Sequence, residues 1–411
     1  EGAGGGDDAL EELAAAAAAA RRGHAVTAEE AALKKDLAAS LANLSRLEGS
    51  EDALVRHTGA LFELALYDDL EVRHLASTAL VNLTVTDRAR GALVRAGVLA
   101  ALFHLSAQRV ASIRTNVAVA LGRLTLDPGA HELLLLEGVH AVFKNLLLGE
   151  EQRALYDVEV ACLSGLVNLA GGPRGNFSDA VFAVLPSLAR KRGDLATCEL
   201  VARVLRNLSI LPASRHDLVD SGCLALFHDA LRHAYSPEII ECVATAVANL
   251  ATLSQCQGDL VFKDALVFLG RVLEEERSDP HIRRLVAQAL AQLACADALC
   301  PALLQKGALP LVLDLRGGGP EINTLVAIAL SNLAWPAECR PTLITDEVLG
   351  ALGALMGDGE PGEAQQEAVS ALCNLAVHPG MRGHPRFGEV IDSLVGLSRR
   401  DGLSRRSSAA S

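Results

Sequence analysis

The sequence predicts an all-α solenoid, helical modules stacked in series instead of one thick core. Composition is the first reason. Of 411 residues 50% are hydrophobic and only 3% aromatic, so the apolar surface is Leu, Ala and Val, suited to helices packed closely on helices. Length is the second, because the chain exceeds what a single hydrophobic core usually serves. The third is a short motif that returns about every forty residues, the mark of repeat architectures.

Taken in chain order, residues 1–24 are low in complexity, include an Ala run at 14–20 and read as a disordered leader. The motif then appears as LANLS, LVNLT, LGRLT, LVNLA, LRNLS, VANLA, LAQLA, LSNLA and LCNLA. Its polar positions are Asn43, Asn82, Arg123, Asn168, Asn207, Asn249, Gln292, Asn332 and Asn374, spaced by 39 to 45 residues. The following residue is always Leu, and the next is Ser, Thr or Ala. Three residues before the polar position stands a small or β-branched residue, from Ser40 and Ala79 to Ala371.

A second landmark follows each motif. RAGVLAAL, LEGVHAVF, DSGCLALF and QKGALPLV place Gly97, Gly138, Gly222 and Gly307 before a fresh apolar stretch. A turn with φ > 0 between a short helix and a longer one suits glycine. Thr58–Gly59, Asp264 and Glu347 stand there in other modules. Each module therefore reads as a short helix, a second helix after the glycine, and a third ending at the motif.

This pattern resembles the armadillo repeat. KGALPLVLDL (306–315) and ALSNLA (329–334) match its Gly-Ala-Leu-Pro and Ala-Leu-x-Asn-Leu-Ala signatures. HEAT repeats, with two helices and another signature, are the runner-up. The resemblance implies a right-handed superhelix of about nine repeats over 25–400, with FGEVIDSLVGLSRR (387–400) as a partial capping repeat and 401–411 as a disordered tail. Such a cap calls for a polar outer face. Ser408 follows two arginines, a weak match to a basophilic kinase site.

At about 100° per residue, the Leu after the polar position and the residues two and three before it share one buried arc. Residues one, four and eight before it face the other way, with the Asn at the margin. In the armadillo family this row lines a concave groove, where Asn side chains pair with the main chain of an extended peptide. A side-chain amide carries a donor and an acceptor, as a peptide unit does. The alternative is that each Asn bonds a neighbouring helix end and ties repeats together. The candidate partner-binding residues are Asn82, Asn168, Asn207, Asn249, Asn332 and Asn374, with Arg123, Arg203, Arg206 and Arg284. The arginines suggest an extended acidic segment held by Arg–carboxylate pairs. The competing expectation pairs Arg203 and Arg206 with Glu199 on their own helix.

Import adaptors of this family carry Trp four residues before the Asn. Here Ala39, Thr78, Val119, Ser164, Arg203, Thr245, Gln288, Ile328 and Ser370 occupy that position, so import-adaptor function is not expected. The formal net charge of −13 disfavours nucleic acid and anionic membranes as partners. Nine cysteines without a CxxC pair read as reduced thiols in the cytosol or nucleus, Cys162, Cys198, Cys223, Cys242, Cys295 and Cys373 filling apolar helix positions. No run of about 18 uncharged apolar residues suggests a membrane span. HELLLLEGVH (131–140) lacks the second His of a zinc site, and His131 is expected on a solvent-facing turn. GGPRG (171–175) and RGGGP (316–320) lack the Lys that would hold phosphate and read as loops.

No catalytic residues, metal or cofactor are expected. The resulting expectation is a non-catalytic scaffold or adaptor, cytoplasmic, and a subunit of a larger assembly such as a cytoskeletal or ciliary axonemal one. A cargo adaptor is the alternative, as is a regulatory piece of a longer enzyme, since the chain opens on Glu1 and not Met.

Overall fold

A computed structural model of the chain describes residues 28–148, 156–172, 194–222, 225–227, 236–262, 265–275, 279–357 and 362–396. The expected disordered ends, 1–24 and 401–411 with Ser408, lie outside them. Among the described residues every regular element is a helix. The backbone divides into two compact units, Glu1–Ile239 and Ile240–Ser411.

In the first unit α1 (Ala28–Leu44) is followed by α2 (Glu51–Val55), α3 (Thr58–Leu66) and α4 (Leu70–Leu83). The same short–medium–long order returns as α5 (Asp87–Arg95), α6 (Val98–Ser106) and α7 (Ala111–Leu124), then as α8 (His131–Leu136), α9 (Val139–Leu148) and α10 (Tyr156–Ala170). Next come α11 (Leu195–Ile210) and α12 (Pro212–Asp220). The boundary between the units falls within α13 (Pro237–Ala251).

The second unit continues with α14 (Ser254–Phe262), α15 (Ala265–Glu275) and α16 (Pro280–Ala294), and with α17 (Cys300–Gln305), α18 (Ala308–Asp314) and α19 (Pro320–Ala334). It closes with α20 (Arg340–Leu343), α21 (Asp346–Leu355), α22 (Glu363–Ala376) and α23 (Pro379–Arg382), then a helix at 387–396.

Local chemistry sets these boundaries. Asp69 caps α4 by accepting from the Glu71 and Val72 amides, and Asp279 caps α16 through His281 and Ile282. Such caps satisfy amides that the first turn leaves without partners. Gly97 and Gly307 turn the chain into α6 and α18 at φ 82° and 88°, a region that disfavours any Cβ. Gly138 and Gly222 share it, at 80° and 76°.

Long helices stack on long helices. In the first unit α1, α4, α7, α10 and α11 pack in sequence; in the second α16, α19 and α22 do so. Medium helices form a parallel layer, with α3 on α6 and α6 on α9. Between these layers lies a thin core of Leu, Val and Ala, with Leu80, Leu121 and Leu166 each no more than 1% exposed.

One expectation needs correction in part. Residues just before the motif Asn are expected in solvent; Ala248, Ala291 and Ser331 there are buried, Val81, Val167 and Arg206 half-buried, and Cys373 exposed. In the helix at 387–396, read from the sequence as part of a capping repeat, the exposed residues are Gly388, Glu389, Ile391, Asp392 and Val395, polar and apolar together.

Candidate functional site: the third-helix row

Each motif falls in the last turn of a long helix, so its polar residue reaches toward the preceding long helix. Asn82 Nδ2 donates to Ser45 Oγ at 3.0 Å, and Asn168 Nδ2 to Thr125 Oγ1 at 3.2 Å. Arg123 Nη1 donates to the Val81 carbonyl at 3.0 Å, as Asn207 Nδ2 does to Val167 at 3.1 Å. Asn332 Nδ2 lies 3.3 Å from Cys295 Sγ. In each case a nitrogen ties one repeat to the one before it, the alternative weighed for these residues. Asn207 is buried, and its Oδ1 accepts from Arg206 Nε and Nη2 at 3.2 and 3.1 Å. Asn249 is half-buried. Asn374 keeps a buried Nδ2 with no partner among the described residues. The preceding repeat presents Ala334 where Ser45 and Thr125 stand in others, so the hydroxyl acceptor is missing.

The arginines also have partners. Arg203 Nε lies 3.0 Å from Glu238 Oε1, and Arg284 Nη1 lies 3.7 Å from Glu321 Oε1. Glu199 serves neither Arg203 nor Arg206: its Oε1 accepts from Ser236 Oγ at 2.7 Å. The expected pairing within one helix therefore gives way to pairing between neighbours. Lys35 with Glu71 at 2.9 Å and Glu241 with His281 at 3.8 Å extend the pattern along the helix starts. Hydrogen bonding to Glu71 is the first cause that raises the Lys35 pKa, with Asp69 and Glu71 charges beside it.

A second row went unrecognised in the sequence. Six residues after the carbonyl that ends each of six long helices, a side chain on the next short helix returns to cap it. Arg90, Arg215 and Arg340 place Nε on Thr84, Ser209 and Ala334 carbonyls at 2.9, 2.7 and 3.1 Å. His131 Nε2 meets the Thr125 carbonyl at 2.7 Å, Gln257 Nε2 the Ala251 carbonyl at 2.8 Å, and Cys300 Sγ the Ala294 carbonyl at 3.4 Å. Four residue types share one task, satisfying carbonyls at a helix C-terminus. That diversity hides the row from a pattern search; constant spacing was the available signal. His131 is accordingly buried rather than solvent-facing, since its ring fills the space above the helix end.

Four residues before the motif position the third-helix face is mixed, with Ala39, Val119 and Ile328 half-buried beside polar side chains. Thr78, Ser164, Thr245 and Gln288 are half-buried, and Ser370 is exposed. No described hydrogen bond reaches Oδ1 of Asn82, Asn168 or Asn332, which leaves an acceptor beside each committed nitrogen.

No family model matches the chain, and no curated protein matches it. Among solved structures it is similar to the crystal structure of an engineered protein, at 23% identity over 94% of each chain, with a TM-score of 0.60. That likeness bears on the fold, an all-helical stack compatible with an α-solenoid.

Burial pushes the Cys300 thiol up to about 12 and the Cys339 thiol up to about 11. The Cys162 thiol is raised further by full burial. Thiols held protonated are poor nucleophiles and metal ligands. Cys295 and Cys373, expected at apolar positions, are exposed, because both lie at the open edge of a motif turn. Among the described residues no group of three His, Cys, Asp or Glu side chains is placed to hold a metal. No single described helix is long and apolar enough to cross a membrane.

Proposed function

We propose that this chain is a non-catalytic scaffold or adaptor of armadillo type that binds extended segments of other proteins along the third-helix row of each unit. One observation carries the reading: Asn82, Asn168 and Asn332 each spend a nitrogen on the neighbouring repeat and keep an oxygen that can accept a peptide N–H. Each such bond contributes about 1 kcal/mol net, so affinity needs several in register. The ties between repeats hold the acceptors in place and lower the ordering cost of binding. A cytoplasmic setting and membership of a larger assembly, cytoskeletal or axonemal, belong to this reading.

The arginines favour backbone recognition over an acidic ligand. An acidic segment would have to displace Glu238 from Arg203 and Glu321 from Arg284, which offsets much of what it gains.

Ser164→Arg and Gln288→Arg place bulk on the row in the first and second units without removing a tie between repeats. Far-UV circular dichroism and melting should match wild type, while the companions captured by wild type from a cell extract, identified by mass spectrometry, should be lost. Undiminished capture by both variants would remove the row from the binding surface.

A further inference from the structure

The last two long helices of the second unit carry charge of one sign only. α19 and α22 contain no Lys or Arg, and their charged residues are Glu321, Glu363 and Glu367. Glu321 and Glu363 stand in the first turns. At the opposite ends, Trp335 and Val377 extend the helical backbone by one residue and are 61% and 72% exposed. Trp335 is the single tryptophan of the chain.

On α22, Glu363, Gln366, Ser370, Cys373 and Val377 are all exposed. Steps of three and four residues keep them on one face. The same positions of α19 are Glu321 and Trp335, exposed, Thr324 and Ile328, half-buried, and Ser331, buried. Ties at both ends of α16 and α19, Arg284 to Glu321 and Asn332 to Cys295, show that consecutive long helices run in the same direction. α22 packs on α19 in turn. The two faces therefore share an acidic margin and an apolar margin, separated by four helical turns, or about 21 Å.

Between the margins lie the motif amides. Asn332 gives its nitrogen to Cys295 and keeps Oδ1 open. Asn374 lacks a tie to the preceding repeat, so its amide is free to turn and offer a donor or an acceptor.

A polypeptide laid along this strip meets carboxylates on one side with no Lys or Arg on either helix to neutralise them. Lys or Arg of the partner supplies that charge. On the other side, Trp335 and Val377 gain by burying apolar surface. Successive side chains of an extended chain point to opposite sides, so alternation of basic and apolar residues meets both margins at once. A helical partner would keep its backbone groups bonded internally and leave the amides of Asn332 and Asn374 without a backbone partner.

We propose that α19 and α22 bind an extended segment of another protein in which basic and apolar residues alternate, the basic ones toward Glu321 and Glu363, the apolar ones toward Trp335 and Val377. This rests on the reading of the third-helix row as a peptide-binding surface and adds the chemistry of the partner in the second unit.

Emission from Trp335 on the full chain tests it, at about 0.15 M salt to screen nonspecific attraction. The probe is an acetylated Lys-Leu-Lys-Leu-Lys-Leu peptide, compared with one carrying Glu for Lys and one carrying Ser for Leu. The Lys-Leu peptide should shift the emission saturably to shorter wavelength, and each control should bind about tenfold more weakly or worse. Glu321→Gln/Glu363→Gln and Val377→Ser should each weaken the Lys-Leu peptide about tenfold. These side chains are exposed, so circular dichroism and melting should match wild type.

Equal binding of either control peptide, or full binding by both variants, would overturn the proposal. So would unchanged Trp335 emission with the Lys-Leu peptide. In that event, loss of captured companions in Ser164→Arg and Gln288→Arg would leave the row standing and strike only this partner chemistry, whereas undiminished capture would remove both.

Discussion

A single nitrogen on each motif residue decides how that position behaves. Asn82, Asn168 and Asn332 donate to the repeat before them, and Arg123 reaches a carbonyl there in place of an amide. The motif is thus a joint between repeats as well as a candidate contact for ligand. Asp69 is the other residue whose charge can be followed. Its pKa is lowered, first by the hydrogen bond from the Val72 amide and also by the Glu71 amide and the Lys35 charge. A carboxylate with a depressed folded pKa stabilises at neutral pH, and that contribution is lost as pH falls through the folded value. Asp69→Ala should therefore cost about 1 kcal/mol near pH 7, the usual worth of an N-cap. In urea unfolding the difference from wild type should vanish as Asp69 becomes protonated; a gap that persists at low pH would mean that packing, not the cap, was lost.

Helices here are closed at their ends by their neighbours. Arg340 on α20 places Nε and Nη2 on the Ala334 and Trp335 carbonyls, at 3.1 and 2.8 Å, closing α19. Its charge also opposes the negative end of the helix dipole. Arg340→Met keeps much of the stem and removes both donors. The expected cost is about 1–3 kcal/mol, read as a lower urea midpoint with an unchanged slope. Gly97 and Gly307, by contrast, were legible in advance, since φ > 0 is written in the residue type itself.

In the whole molecule, repetition makes stability a matter of neighbours. Leu121 lies at 0% exposure in α7, between α4 and α10. Leu121→Ala should cost about 2–5 kcal/mol and lower exchange protection in α4, α7 and α10 more than in α1. Equal loss through α1 would show the first unit opening as one block. At this scale the sequence by itself determined the period, the helical class and the turns, because composition, spacing and glycine act within a few residues of chain. Only the tertiary structure decided which atom each motif side chain meets, that His131 is buried, that Cys295 and Cys373 are not, and that Arg203 finds Glu238 instead of Glu199. Helical periodicity assigns a side chain to a face. Its partner depends on the stagger between helices some forty residues apart, which no local pattern encodes.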